Sequence, residues 1–130
     1  MRMPTIPILS GTNAECGKVK EVLARMGDKW TILAVATLAE QPRRFNELRR
    51  LIGGISQQVL ARTLKALERD GMVTRTVHPT VPPQVEYALT DLGRSLAALL
   101  IQLTMWVLDH MTEIEGLRAK DDGDARRLRL

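Results

Sequence analysis

Apolar positions recur along this chain with two periods, near 3.6 and 2, and each change of period marks an element boundary. Over residues 13–26, Val19, Val22, Leu23 and Met26 form one stripe at helical spacing, and Gly27 stops the run. Asp28 stands as N-cap to a second helix in which Trp30, Ile32, Leu33, Val35, Ala36 and Leu38 leave little polar face. That pattern predicts a helix buried nearly all round, ended by Gln41-Pro42. Residues 43–45 suit a short strand. Asn46 or a neighbour then opens a third helix over 47–52, with Leu48, Leu51 and Ile52 inward, and Gly53-Gly54 turns the chain.

Ser56 is a natural N-cap for a fourth helix. Behind it Leu60, Leu64 and Leu67 share one face, while Gln58, Ala61, Arg62, Lys65 and Arg69 share the other, and Asp70-Gly71 ends the run. Residues 72–77 and 85–89 alternate in strand fashion around a proline-rich turn. A short glycine turn between two helices, then a basic outer face leading into a basic hairpin, predicts a winged helix-turn-helix. The fold class is mainly α with a small antiparallel β-wing, and the layout points to DNA.

Thr90 caps the last long helix, expected to end near Ile114. Leu96, Leu99, Leu100, Leu103, Trp106 and Val107 are expected to face the domain, with Ala97, Ile101, Met105, Leu108 and Met111 on other sides. One small domain cannot cover that much apolar surface, at about 25 cal/mol per Å² left in water. A second copy is the simplest cover, and dimeric helix-turn-helix proteins read two half-sites. The domain organisation expected is a flexible arm over 1–12, a winged domain over 13–114 with dimerising first and last helices, and a charged, disordered tail over 115–130.

At 130 residues the chain suits one domain, and its net charge of +4 favours a polyanionic partner. Aromatic residues make up only 3%, too few for a binder that stacks single-stranded bases. One cysteine suits a reducing cytoplasm. Residues 1–12, broken by Pro4 and Pro7, do not form a signal peptide, and the apolar run 95–108 falls short of the roughly 20 residues of a membrane span. An enzyme is not expected, because the isolated His78 and His110 offer the cysteine no evident base. They make no metal spacing, no glycine-rich phosphate loop is present, and no cofactor is expected.

Within the fourth helix, Ser56, Gln57 and Gln58 lie at the N-terminus, where backbone N–H groups meet phosphates or base edges. Gln58 and Arg62 are the candidates for base readout, with Gln57 beside them, since Gln pairs two-fold with adenine and Arg with guanine. Lys65 suits a phosphate. Arg43, Arg44, Arg49 and Arg50 flank the third helix as phosphate contacts, with plain surface solubility as the competing reading. In the wing, His78 and Gln84 are candidate contacts, while Arg75 is expected to pair across the strands with Glu86.

The segments GDKWTIL, RRFNELRRLIGGISQQVLARTLKALERDGMVTR and VPPQVEYALTDLGRSL resemble the HxlR-type transcriptional regulators, relatives of the MarR group, over residues 16–106. The resemblance implies a dimer formed through the first and last helices, binding a pseudo-palindromic operator as a repressor or, in some members, an activator. It also implies that a cysteine at the position of Cys16 senses electrophiles, quinones or oxidants. Gly17 stands where the family often has proline, and the second cysteine of some members is missing. A disulfide would therefore join Cys16 to its counterpart or to a small thiol. The first-turn position and nearby Lys18 and Lys20 favour a thiolate, Glu15 opposes it, and an inert core cysteine is the rival reading. Two other functions stay open: a regulator answering a small ligand with no redox role for Cys16, and a dimeric interaction module that does not bind DNA.

Overall fold

The computed structural model describes residues 13–128. Its elements run α1 (Asn13–Met26), α2 (Lys29–Glu40), β1 (Arg43–Arg44), α3 (Phe45–Ile52), α4 (Gln57–Arg69), β2 (Val73–His78), β3 (Gln84–Leu89) and α5 (Asp91–Leu128). The fold is mostly helical with a three-stranded antiparallel sheet in the order β1-β3-β2, a winged helix-turn-helix as the sequence pattern implies. The expected arm over 1–12 lies outside the described residues.

Local chemistry accounts for the element starts. The Asp28 carboxylate accepts from the Trp30 and Thr31 N–H groups at 3.1 and 3.3 Å, opening α2. Glu47 Oε1 accepts the Arg44 N–H at 3.1 Å, so α3 begins at Phe45, two residues ahead of the helix expected over 47–52. At the end of α4, the Met72 N–H reaches the Leu67 carbonyl and the Gly71 N–H reaches the Glu68 carbonyl. These are the paired bonds of a Schellman closure, which Gly71 permits at φ 76.

The core gathers Ala34, Val35 and Leu38 of α2, Leu48 of α3, Ile55 of the turn, and Leu60, Leu64 and Leu67 of α4, closed by Val73, Tyr87 and Leu89 of the sheet. Two helices bury less than their sequences suggest. In α2, Thr31, Ala34, Val35 and Leu38 form the buried face while Leu33 is exposed, so α2 is covered on one side and not all round. In α3, Leu48 and Ile52 lie one turn apart toward the core, and Leu51 falls on the exposed flank.

Thr90 joins the hairpin to α5. Its hydroxyl donates to the Gly71 carbonyl at 2.6 Å and accepts from the Gly93 N–H at 3.1 Å. At Gly93 the helix passes so close to the Met72 backbone that a Cβ would stand 2.0 Å from its carbonyl oxygen.

The chain divides into two compact units, Met1–Ala97 and Ala98–Leu130, with α5 crossing the division. In the second unit the helix continues to Leu128, past the expected end at Ile114 and through most of the tail expected to be disordered. That tail contains no proline, carries four Arg and three Leu, and sets Arg118 four residues before Asp122 and Asp122 four before Arg126. Leu99, Leu103, Trp106 and Val107, expected inward, are exposed, and Ala97, expected elsewhere, is buried. Trp106 stacks on His110 with centroids 4.3 Å apart, and His110 Nδ1 lies 2.7 Å from the Trp106 carbonyl oxygen. By length and composition alone α5 also meets the requirement of a membrane span.

Candidate nucleic-acid interface

The α3–α4 turn is fixed from both sides. Gly53 and Gly54 hold φ of 71 and 67, in the left-handed region that glycine enters without steric cost. The Gly53 N–H closes on the Arg49 carbonyl at 3.1 Å, and Ile55 is buried at the turn's exit. Arg49 Nε donates to the Ile55 carbonyl at 3.4 Å, so this candidate phosphate contact also braces the turn. The next residue, Ser56, accepts from the Val59 N–H through Oγ at 3.1 Å and starts α4 on the outer surface.

With 100° between successive residues, the face of α4 opposite Leu60, Leu64 and Leu67 carries Gln58, Arg62, Lys65 and Arg69. All four are exposed, as are Ser56 and Gln57 at the N-terminus. Among the described residues none of those four side chains has a hydrogen bond or ion pair, which leaves their donors to an incoming ligand. Arg62, Lys65 and Arg69 share a cleft of about 230 Å³ with Arg25 and Asp70. Lys65 also lines a groove with Ala61, Glu68, Arg75 and Tyr87, between α4 and the sheet.

A second basic group forms beside the wing. Arg44, Asn46 and Arg50 of the α3 region line one cleft with Pro82, Pro83 and Gln84. The structure thus brings Arg44 and Gln84, two separately predicted contacts, to one place. His78 Nε2 lies 3.7 Å from Glu86 Oε1.

Two expectations about arginines are corrected. Arg75 does not pair with Glu86: the register sets Arg75 opposite Tyr87 and Thr76 opposite Glu86, so the period of two turns Arg75 to the other face of the sheet. Arg43, grouped with the phosphate contacts, is instead half-buried, with Nη2 2.8 Å from Glu40 and Nη1 3.7 Å from Glu47.

Sequence reasoning left Arg69 out of the candidate site although its spacing, four residues after Lys65, placed it there. Arg25 carries no local signal for its role, because α1 lies far from α4 in sequence. Its guanidinium holds both oxygens of Asp70, Nε to Oδ2 at 2.9 Å and Nη2 to Oδ1 at 3.2 Å, and also Glu21 at 2.9 Å. Hydrogen bonds to Glu21 and then Asp70 raise its pKa above the ordinary arginine value. This ion pair ties α1 to the C-terminal cap of α4. Cys16 lies half-buried in the first part of α1.

Comparison with known proteins agrees with this geometry. The HxlR-like helix-turn-helix family model matches residues 25–115. The HTH-type transcriptional regulator YtfH of Escherichia coli (strain K12) is 40% identical over 99 residues, covering 76% of this chain and 79% of that protein. Among solved structures, the transcriptional regulator ytfH of Salmonella typhimurium superposes with a TM-score of 0.75 at 37% identity, covering 78% of this chain and 90% of that one. The redox regulator HypR in its reduced form gives 0.70 at 36% identity, covering 76% and 98%.

Proposed function

Because the chain belongs to the HxlR-like helix-turn-helix family, whose members are transcriptional regulators, we propose that it represses transcription by binding a pseudo-palindromic operator as a cytoplasmic homodimer. The outer face of α4 carries this reading: Gln58, Arg62, Lys65 and Arg69 are exposed and uncommitted on the helix that follows the turn. Seated in the major groove, Gln58 and Arg62 read base edges, Lys65 and Arg69 meet phosphate, and Ser56 and Gln57 approach the backbone at the helix start. Arg44, Arg49, His78 and Gln84 flank the duplex from the turn and the wing.

Exposed apolar side chains support the dimer. Val19, Val22 and Leu23 on α1 and Leu99, Ile101, Leu103, Met105 and Leu108 on α5 face water in the single chain. A second copy covers them at lower cost than solvent does. The flanking Arg94, Asp109, Glu113 and Glu115 favour this cover over a bilayer.

Fluorescence anisotropy on promoter fragments tests the reading. Gln58→Ala and Arg62→Ala are each expected to weaken specific binding by about 1–3 kcal/mol, while Lys65→Ala weakens specific and non-specific binding alike and lowers the salt dependence. Wild-type affinities in both base-reading variants would mean that another face enters the groove.

Control through Cys16 is part of the proposal, supported by its place in α1 and by the likeness to the redox regulator HypR. An adduct with an electrophile, quinone or oxidant at this helix would shift one dimer arrangement toward another, and a few kcal/mol suffices to release DNA. Cys16→Ser is expected to bind DNA as the wild type does and to ignore diamide. Wild-type complexes that survive diamide while mass spectrometry shows Cys16 modified would remove the switch.

A further inference from the structure

Apolar packing does little to hold α1 on its own domain. Among the described residues 16–26 none is buried, and only Cys16, Arg25 and Met26 are half-buried. A cleft of about 490 Å³ lies between its last turn and α4, lined by Ala24 and Met26 of α1 and by Ala66 and Leu67 of α4. Side chains that leave such a space give up the close contacts that would fix one helix on another. The join to α2 is the two-residue turn Gly27-Asp28, exposed at both positions and placed where a hinge absorbs dihedral change.

One polar link reaches from α1 to α4 over 45 residues of sequence. Arg25 donates from Nε and Nη2 to the two oxygens of Asp70 at 2.9 and 3.2 Å. A forked guanidinium on a carboxylate fixes direction as well as distance. Glu21, one turn back in α1, takes Nη1 at 2.9 Å and so orients the fork from its own helix. Asp70 is the C-cap of α4, its N–H closing on the Ala66 carbonyl at 3.0 Å, so the far end of the link is tied to helix backbone.

We propose that the Arg25–Asp70 pair sets the angle of α1 on α4 and thereby the half-site spacing that the dimer accepts. With 14 residues α1 is about 21 Å long, so a tilt of about 10° at Gly27 moves its far end by about 3.6 Å. Successive base pairs lie about 3.4 Å apart. In a dimer joined through α1, a tilt of that size carries α4 from one spacing to the next. Arg25 acts here as a positioning residue, through Asp70, and reads no base. Lysine in its place keeps the charge but offers a point donor instead of a fork. The spacing rests on the proposed operator-binding dimer; the hold of the pair on α1 does not.

Two measurements on the full-length protein test this. The first is anisotropy with duplexes that carry the half-sites selected by the wild type at their natural spacing, or with one base pair added or removed. The wild type is expected to lose at least about tenfold, or 1.4 kcal/mol, on either change of spacing. Arg25→Lys and Asp70→Asn are each expected to cut that discrimination to about threefold or less, and Arg25→Gln combined with Asp70→Asn to cut it no further than either alone. The second places a spin label at Ala61→Cys, on the exposed face of α4, in a Cys16→Ser background and without DNA. Double electron–electron resonance between the two copies is expected to give one narrow distance, broadened by Arg25→Lys and by Asp70→Asn, with circular dichroism confirming that each variant is folded. A distance that stays narrow in both variants overturns the hold of the pair on α1. A broadened distance with the wild-type spacing preference intact overturns the link to spacing. Affinity lost equally at every spacing in Arg25→Gln and kept in Arg25→Lys makes Arg25 a phosphate contact and overturns the proposal. Broadened distances in a protein without specific DNA binding uphold the hold and overturn the DNA reading alone. No dipolar coupling between copies removes the dimer, and the spacing with it.

Discussion

Gly93 shows how one residue sets the join between the wing and the final helix. The missing Cβ lets the first turn of α5 lie against the Met72 carbonyl, which also accepts the Thr90 N–H at 3.0 Å. A methyl group there must displace backbone, not a flexible side chain. Gly93→Ala is therefore expected to destabilise by about 1–3 kcal/mol or more, read from the urea midpoint at fixed protein concentration. Gly116→Ala is the control: nothing lies within 4 Å of its Cβ position, and in mid-helix alanine is expected to gain about 0.5–1 kcal/mol. Similar midpoints for the two variants would show that the close approach at Met72 relaxes freely. At this scale the sequence announces side chains better than contacts. Ser56, Asp28 and Thr90 are legible as caps because capping is local. Gly93 is not, because its neighbour Met72 lies across the hairpin.

Among the elements, α4 was the most legible, since cap, buried leucines, outer polar face and closing glycine all lie within one run of chain and agree. The wing was legible as a hairpin but not in register. The prolines between residues 79 and 83 hide where pairing resumes, and a shift of one position moved Arg75 from beside Glu86 to opposite Tyr87. Helix faces failed where burial depends on a distant neighbour, as for Leu51 of α3 and Leu99 and Leu103 of α5. The charged end of α5 is not legible as helix because its polar composition masks its helix-forming side chains and spaced charges. The Ser56 cap gives the element its own test. Ser56→Ala removes the acceptor of the Val59 N–H and is expected to cost about 1 kcal/mol of stability. Any loss of DNA affinity beyond that of a folded control would show that the hydroxyl or the helix start also meets the duplex. Unchanged stability would place the initiation of α4 in the Gly53-Gly54 turn instead.

For the whole molecule, the exposed apolar side chains of α1 and α5 are the surface that the proposed homodimer would cover. Ile101→Glu, on an exposed part of α5, is expected to shift sedimentation from dimer to monomer at micromolar concentration while far-ultraviolet circular dichroism stays helical. A wild-type protein that sediments as a folded monomer would remove the dimer. The functional meaning of the proposed dimer lies in spacing, because two copies of α4 related by two-fold symmetry would reach successive major grooves on one side of the duplex. Hydroxyl-radical footprinting of the wild type and Arg62→Ala on a promoter fragment selected by the wild type examines that geometry directly. Two protected half-sites about 10–10.5 base pairs apart, or a multiple of that spacing, are expected for the wild type and their loss for the variant. A single unpaired footprint, or one unchanged by Arg62→Ala and Gln58→Ala alike, would contradict the reading of α4 as the recognition helix of a symmetric dimer.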